Sequence, residues 1–337
     1  MARVTLEDIA RMAGVSKATV SRVLNDKNDG YSEETAERVK KIVKDCGYLQ
    51  ASILTGAPYS ARTRTIGLIL PDTANPFFQQ IIDVVEEFTY QQSYVLLLGG
   101  THRSAQKEKR YIDAFVTKRV DGIILVATAS DNQDSYRLLE KYKIPCVLLD
   151  RKYFGSGLFK AGVFIDSAYP VFRACEYLIQ HGNARIVFLS GERGLSTATE
   201  RFNGYCVALQ QYSIELHPEL IVYGDYTIQS GYSCITRLLK EQVVFDAIVA
   251  SNDSMAIGAL SAVKEAGLRV PEDIEIIGFD GTEIGEHVTP PLSTIVQPVR
   301  EMGRKSVELL FELMAGRTIE KPFIQMEAKL TLRGTTR

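Results

Sequence analysis

The stretch Val4-Thr5-Leu-Glu-Asp8-Ile9-Ala-Arg-Met12-Ala13-Gly14-Val-Ser16-Lys17-Ala18-Thr19-Val20-Ser21-Arg22-Val23-Leu24-Asn25 decides how the N-terminus folds. Thr5 is placed to cap a helix, and Asp8 three residues on completes a T-x-x-D variant of the capping box. Ile9, Met12 and Ala13 fall on one face, and Gly14 stops the helix in a conformation that tolerates positive φ. Ser16 caps a second helix that carries Val20, Val23 and Leu24 on its buried side. The turn Gly14-Val-Ser16 is short enough to force a steep crossing, which is helix-turn-helix geometry. The second helix shows Lys17, Ala18, Thr19, Ser21, Arg22 and Asn25 on its outer side, with no acid from 17 to 25. Hydroxyls and cations suit phosphates, and an Arg can grip a guanine edge with two hydrogen bonds. A solvated face of a small bundle would look similar from this pattern alone. A third helix runs from Ser32 to about Cys46, with Ala36, Val39, Ile42, Val43 and Cys46 as its apolar stripe.

Charge is distributed unevenly around this head. Residues 1–64 hold 11 Lys/Arg against 8 Asp/Glu, and the rest holds 28 against 33, so a head of +3 sits on a body of −5. A basic head on an acidic body points toward a polyanionic partner. The whole chain of 337 residues implies two or three domains. Its 45% hydrophobic and 24% charged residues exclude a disordered or low-complexity chain. No apolar run reaches the roughly 18 residues of a membrane span, and the N-terminus has no secretory pattern, so a cytoplasmic protein without membrane partners is expected.

Several chemistries lack their residues. The five cysteines form no C-x-x-C pair and read as free thiols; the four histidines form no H-E-x-x-H. Neither G-x-x-x-x-G-K-[ST] nor G-x-S-x-G occurs. The expectation is no metal, no cofactor and no catalytic residue.

From Thr65 the chain alternates apolar strands with amphipathic helices. One series is Ile66–Leu70, Val95–Leu98, Gly122–Val126 and Cys146–Leu149. A second runs Val163–Ile165, Ile186–Leu189, Ile221–Tyr223, Ala247–Ala250 and Ile274–Phe279. Strands that are apolar throughout and separated by helices build parallel sheets covered on both faces. The fold class is therefore an all-α helix-turn-helix head plus an α/β body of two doubly wound parallel-sheet lobes, periplasmic-binding-protein-like in plan.

Ligands of such sheets sit beyond the carboxyl ends of the strands. The residues there are Asp72, Asn75, Phe77 and Phe78 after the first strand, Asp150-Arg151 after the fourth, Ser251-Asn252-Asp253 and Asp280 after later ones, and Arg201 in the first turn of the helix after Leu189. Carboxylates, an amide, an Arg and aromatic rings suit a polyhydroxylated small molecule. Structural roles compete: Asp253 as a helix cap, Phe77 and Phe78 as core, Asp280 and Arg201 as an ion pair across the cleft.

These residues resemble the lac repressor/galactose repressor family of bacterial transcription regulators. The N-terminal stretch carries the likeness, joined by Ser32-Glu-Glu-Thr-Ala-Glu-Arg-Val39, Thr65-Ile-Gly-Leu-Ile-Leu-Pro-Asp72, Lys118-Arg-Val-Asp-Gly-Ile-Ile124, Arg201-Phe-Asn-Gly-Tyr205, Ser251-Asn-Asp-Ser-Met-Ala-Ile-Gly258 and Leu292-Ser-Thr-Ile-Val-Gln-Pro298. The resemblance implies a repressor that binds a near-palindromic double-stranded operator as a homodimer. A small-molecule effector, a sugar or sugar derivative, would bind between the lobes and set operator affinity. Lys17, Ala18 and Arg22 would face bases; Ser16, Thr19, Ser21 and Asn25 would hold phosphates, with Thr5 and Leu54 completing the DNA-contacting set. Phe77, Phe78, Asp150, Arg201, Tyr226, Asn252 and Asp280 would line the effector site.

On the family plan the head is 1–47, the hinge 48–64 and the body 65–337. The N-lobe would take about 65–162 and 293–325, the C-lobe about 163–292 and 326–337, with crossings near 163, 292 and 325. Two departures stand out. Ser32 lies one residue further from Asn25 than is usual, and the hinge reads Tyr48-Leu-Gln-Ala-Ser-Ile-Leu-Thr-Gly-Ala57-Pro58 where the family has Tyr-x-Pro-Asn-x-x-Ala-Arg-x-Leu. Leu54, or Ile53 in a shifted register, is the candidate for the family's minor-groove wedge, and Gly56 and Pro58 would keep any hinge helix short. No leucine heptad follows the last strand, so a dimer is expected rather than a tetramer. A transport solute-binding protein, a sugar-acting enzyme using Asp150 and Asp280, and a repressor governed by a partner protein are the competing classes.

Overall fold

The structure is a computed structural model that describes residues 5–24, 30–46, 62–128, 132–153 and 158–337. The described chain divides into two compact units: one holds the three head helices and Asp113–Val120, the other the rest of the body.

The head is built from α1 (Leu6–Ala13), α2 (Lys17–Leu24) and α3 (Glu33–Asp45). The capping box at its start is complete. The Thr5 amide donates to Asp8 Oδ2 at 2.9 Å, and the Asp8 amide donates to Thr5 Oγ1 at 3.2 Å. Gly14 takes the left-handed conformation at φ 67°, which ends α1 where the turn must begin. Ser16 and Ser32 cap the next two helices by accepting from the Thr19 and Thr35 amides at 3.0 and 3.3 Å. Ile9, Ala10, Ala13, Val20, Val23, Leu24 and Val39 are buried together as the core. Met12 was expected on that face, but it is half exposed. The buried stripe runs through 9, 10 and 13, an inclined 3.6-residue row that leaves Met12 at its margin.

The body holds two six-stranded sheets. Strands β1 (Thr65–Leu70), β2 (Val95–Gly100), β3 (Gly122–Leu125), β4 (Cys146–Asp150), β5 (Ala161–Ile165) and β11 (Phe323–Met326) form the N-lobe sheet in the order β2-β1-β3-β4-β5-β11, every pair parallel. Strands β6 (Ile186–Ser190), β7 (Ile221–Tyr223), β8 (Ala247–Ala250), β9 (Glu275–Asp280), β10 (Ser293–Val296) and β12 (Lys329–Thr331) form the C-lobe sheet in the order β7-β6-β8-β9-β10-β12. Only the β10–β12 pair is antiparallel. Strands such as Ile-Val-Phe-Leu-Ser and Ala-Ile-Val-Ala are buried along their whole length, as strands covered on both faces must be.

The covering helices are α4 (Pro76–Gln91), α5 (Ala105–Lys118), α6 (Gln133–Lys141), α7 (Ala168–Gln180), α8 (Ser196–Gln211), α9 (Ile228–Lys240), α10 (Asp253–Glu265), α11 (Glu283–His287) and α12 (Val299–Met314). In each sheet the strand order reverses once, at β1 between β2 and β3 and at β6 between β7 and β8, which opens a crevice at the carboxyl ends.

Two strands next to the crossings between lobes join a different sheet from the one expected. Strand 161–165 belongs to the N-lobe sheet, where it pairs with β4 and β11, rather than opening the second series. Strand 293–296 pairs with β9 and stays in the C-lobe. The chain therefore crosses after Ile165, after Val296 and after Met326, each within a few residues of the expected 163, 292 and 325. Hydrogen-bond pairing, invisible in an apolar run, assigns each strand to its sheet.

Inside the C-lobe α9 and α10 pack closely because Gly258 offers no side chain: a Cβ there would lie 2.0 Å from the Ile228 carbonyl oxygen. Gly258→Ala should therefore cost about 1–3 kcal/mol, the range for overpacking a filled interface. Urea denaturation with both proteins checks this, and an unchanged midpoint would contradict the close approach.

Candidate functional site

The cleft is assembled from segments that leave the carboxyl ends of parallel strands in both lobes. It is lined by Asp72, Asn75, Phe77, Phe78, Arg103, Asp150 and Arg151 of the N-lobe and by Thr197, Arg201, Tyr226, Asn252 and Asp280 of the C-lobe. The space between them is about 380 Å³, its open mouth included. All seven expected cleft residues are brought together here.

Local sequence explains how each is aimed. Asn75 caps α4, its Oδ1 accepting from the Phe77 amide at 3.0 Å, with Pro76 at the first helical position. This turns Phe77 and Phe78 inward as an edge-to-face pair with ring centroids 5.1 Å apart. Both rings are also buried members of the core, so their structural and cleft-lining roles coincide. Four of the twelve lining residues are non-glycines at positive φ: Arg103 at 60°, Asp150 at 65°, Tyr226 at 66° and Asp280 at 121°. Such backbone persists only where surrounding structure enforces it, and it gathers at functional sites.

The helix cap at α10 is Asn252, not Asp253. Asn252 Oδ1 accepts from the Met255 amide at 3.0 Å and its Nδ2 donates to the Tyr226 carbonyl at 3.1 Å. Asp253 instead lies behind the cleft and ties three elements together. Its Oδ2 accepts from the Thr282 amide at 2.7 Å and the Thr282 hydroxyl at 2.9 Å, and its Oδ1 accepts from the Thr294 hydroxyl. That fixes the chain leaving β9 directly after Asp280.

Arg201 lies in the second turn of α8, because the helix begins at Ser196. Its guanidinium rests 3.6 Å above the Phe279 ring and donates to the Ser251 carbonyl, while its buried Nε has no partner. The competing structural role, an ion pair with Asp280, is not formed. Both residues belong to the C-lobe, and Asp280 accepts from Gln297 Nε2 at 2.8 Å instead. Arg151 is likewise buried with its Nε unsatisfied, 3.9 Å from Asp150 Oδ2. Unpartnered buried guanidinium N–H groups are costly alone and are suited to donate to a ligand's oxygens.

Burial raises the carboxyl pKa of Asp150, against the pull of Arg151 and Arg201. Burial also lifts Asp280 well above its ordinary value; Arg201 opposes this, and Asp253 and Asp150 add to it. Two carboxyls with raised pKa beside two guanidiniums can both accept and donate, the chemistry that vicinal hydroxyls require.

Asp72, Asn75, Arg103, Arg151 and Thr197 complete the lining beyond the expected seven. Asp72, Asn75 and Arg151 already stand among the strand-end residues of the sequence, and Thr197, one helical turn before Arg201, was within its reach. Arg103 lies in a polar loop after β2 with no local signal; only the fold brings it to the cleft.

On the head, α2 exposes Ser16, Lys17, Ala18 and Arg22, with Thr19 and Ser21 partly covered and no acid in the helix. Thr5 is exposed, but its hydroxyl is engaged with Asp8 in the capping box. Asn25 and Leu54, and with Leu54 the wedge, lie outside the described residues.

Burial pushes Asp253 from its ordinary 3.8 up to about 6. Between these values the folded protein holds a proton that the unfolded chain releases, so this group's contribution to stability is full below 3.8 and is lost as pH rises through 6. Asp253→Asn should therefore flatten the fall of the urea midpoint between pH 4 and pH 6. A slope as steep as in the parent protein would contradict it.

Comparison with known proteins gives matches for both the head and the body. Residues 5–50 match the model of the bacterial regulatory proteins, lacI family, and residues 175–336 match the periplasmic binding protein-like domain. The HTH-type transcriptional repressor PurR of Pasteurella multocida (strain Pm70) is 35% identical over 98% of this chain and 97% of its own. A transcriptional regulator CelR–cellobiose complex superposes with TM-score 0.75 at 30% identity, covering 99% of this chain and 100% of that one. The lac repressor dimer bound to operator and the anti-inducer ONPF superposes with TM-score 0.73 at 27% identity, covering 99% of each chain. Head, body and relatives agree: this chain belongs to the lacI family of bacterial regulatory proteins, a DNA-binding transcriptional repressor with an effector-binding domain and not an enzyme.

Proposed function

We propose that this repressor is controlled by a small sugar or sugar derivative bound between its lobes, and that the ligand changes its affinity for a near-palindromic operator. The observation that carries the reading is the convergence of Phe77, Phe78, Asp150, Arg201, Tyr226, Asn252 and Asp280 from both lobes on one cleft. Aromatic rings cover an apolar sugar face, and carboxyls with guanidiniums take its hydroxyls. The cellobiose in the CelR complex supports the ligand class. The protein acts in the cytoplasm as a homodimer whose two heads read two half-sites, as the lac repressor dimer on its operator supports. Lys17, Ala18 and Arg22 face bases; Ser16, Thr19, Ser21 and Asn25 hold phosphates, with Thr5 and, from the hinge, Leu54 beside them. The effector acts only by the difference in its affinity for the two lobe arrangements.

A thermal-shift screen against sugars, sugar acids, sugar phosphates and purines tests the ligand class. A ligand at 100 times its Kd adds about 2.7 kcal/mol to stability, a readily seen shift. No shift with any sugar or derivative would overturn it. With the ligand found, Arg201→Ala should raise its Kd about 10- to 150-fold, the loss of a charge-assisted hydrogen bond, while operator binding without ligand stays intact. Arg22→Ala should weaken operator binding by about 1–3 kcal/mol and relax the preference at one base pair. Equal affinity across operator variants would remove Arg22 as a base reader.

A further inference from the structure

We propose that the cleft is held shut by a two-point ionic latch between the lobes, Arg103 to Glu192 and Lys152 to Glu200. Arg103 follows β2 of the N-lobe. Its Nη2 donates to Asp72 Oδ2 of the same lobe at 2.9 Å, and its Nη1 donates to Glu192 Oε1 of the C-lobe at 3.0 Å. The loop carrying it is held in a left-handed conformation at φ 60°, with the Arg103 amide on the Pro71 carbonyl at 3.0 Å, so the side chain is aimed by its backbone. Asp225, also of the C-lobe, feels the same guanidinium, which helps to lower its carboxyl pKa. Lys152 follows β4 of the N-lobe. Its Nζ donates to Glu200 Oε1 at 2.6 Å, and its amide donates to Ser196 Oγ at 3.2 Å.

The three C-lobe acceptors, Glu192, Ser196 and Glu200, lie on one segment between the end of β6 and the second turn of α8. That segment also carries Thr197 and Arg201, two of the cleft-lining residues. The N-lobe anchors leave strands that the sheet order separates by β1 and β3. Two separated anchors on one segment resist both rocking and twisting, so the lobes part only when both ion pairs break.

The four side chains are between 21% and 37% exposed. They are shielded enough to hold each other and open enough for salt to screen them. Closure is thus favoured by contacts that form without a ligand. The opening equilibrium is set by ionic strength as well as by the effector, and a ligand has to bias a population that already leans toward closed. The inference does not depend on which ligand the cleft takes, and its test needs none.

The experiment is single-molecule energy transfer on the full chain, with fluorophores on non-natural amino acids at positions 140 and 242, one on each lobe. In Glu192→Gln/Glu200→Gln the open-to-closed ratio should rise about 2- to 30-fold, what two partly exposed ion pairs supply together. Added salt should drive the parent protein toward that distribution and leave the double variant where it is. Glu200→Lys alone should open the cleft, and the exchange Lys152→Glu/Glu200→Lys should close it again. An unchanged distance distribution in a double variant that keeps the parent's circular dichroism and Tm would overturn the latch. So would an equal salt response in both proteins, or an exchange variant as open as Glu200→Lys.

Discussion

Parallel pairing of strands is the constraint on which the body depends. A parallel pair cannot be closed by a tight turn, so each strand must be followed by a crossover, and each crossover brings the next strand in from the same end. All carboxyl ends in a sheet therefore share one edge. Nine of the ten strand pairings in the two sheets follow this rule, with helices covering both faces of each sheet; the β10–β12 pair departs from it where the chain last returns. The two sheets then place Asp72, Asp150, Asp280, the loop bearing Arg103 and the helix bearing Arg201 around one crevice. The site follows from the topology rather than from any short motif.

Within the cleft, stability and recognition compete for the same groups. Asn252 caps a helix and holds the Tyr226 carbonyl, leaving only part of its amide for a ligand. Phe77 and Phe78 belong to the core as well as to the lining. Asp280 and Arg201, by contrast, do not satisfy each other, although both are buried in the same lobe. A fold selected for stability alone would pair them, since unpaired buried charge is costly. Leaving their polar atoms available reserves that interaction for a third group.

The head shows the opposite balance. Every one of its helix starts is capped by its own sequence, Thr5, Ser16 and Ser32, and its core is a handful of aliphatic side chains. Little long-range information is needed to form it. That is why its outer face, Lys17, Ala18 and Arg22, could be read directly from spacing, and why Met12, expected in the core, sat at the margin of a stripe.

Local periodicity and capping residues determined the helices, the strands and the class of the two lobes, because those signals act over fewer than ten residues. Strand-end chemistry marked Asp150, Asn252 and Asp280 for the same reason. What the sequence could not decide was which sheet each apolar strand joins. The assignments of 161–165 and 293–296 rest on hydrogen bonds between distant segments. Arg103 reached the cleft, and Glu192 its guanidinium, by the same long-range route. Asn252 rather than Asp253 became the cap because Thr282 and Thr294 claim the Asp253 carboxylate from elements some 30 to 40 residues away in the chain. Tertiary structure decided these points because a side chain's partner is fixed by where the backbone has been brought, not by what stands next to it in sequence.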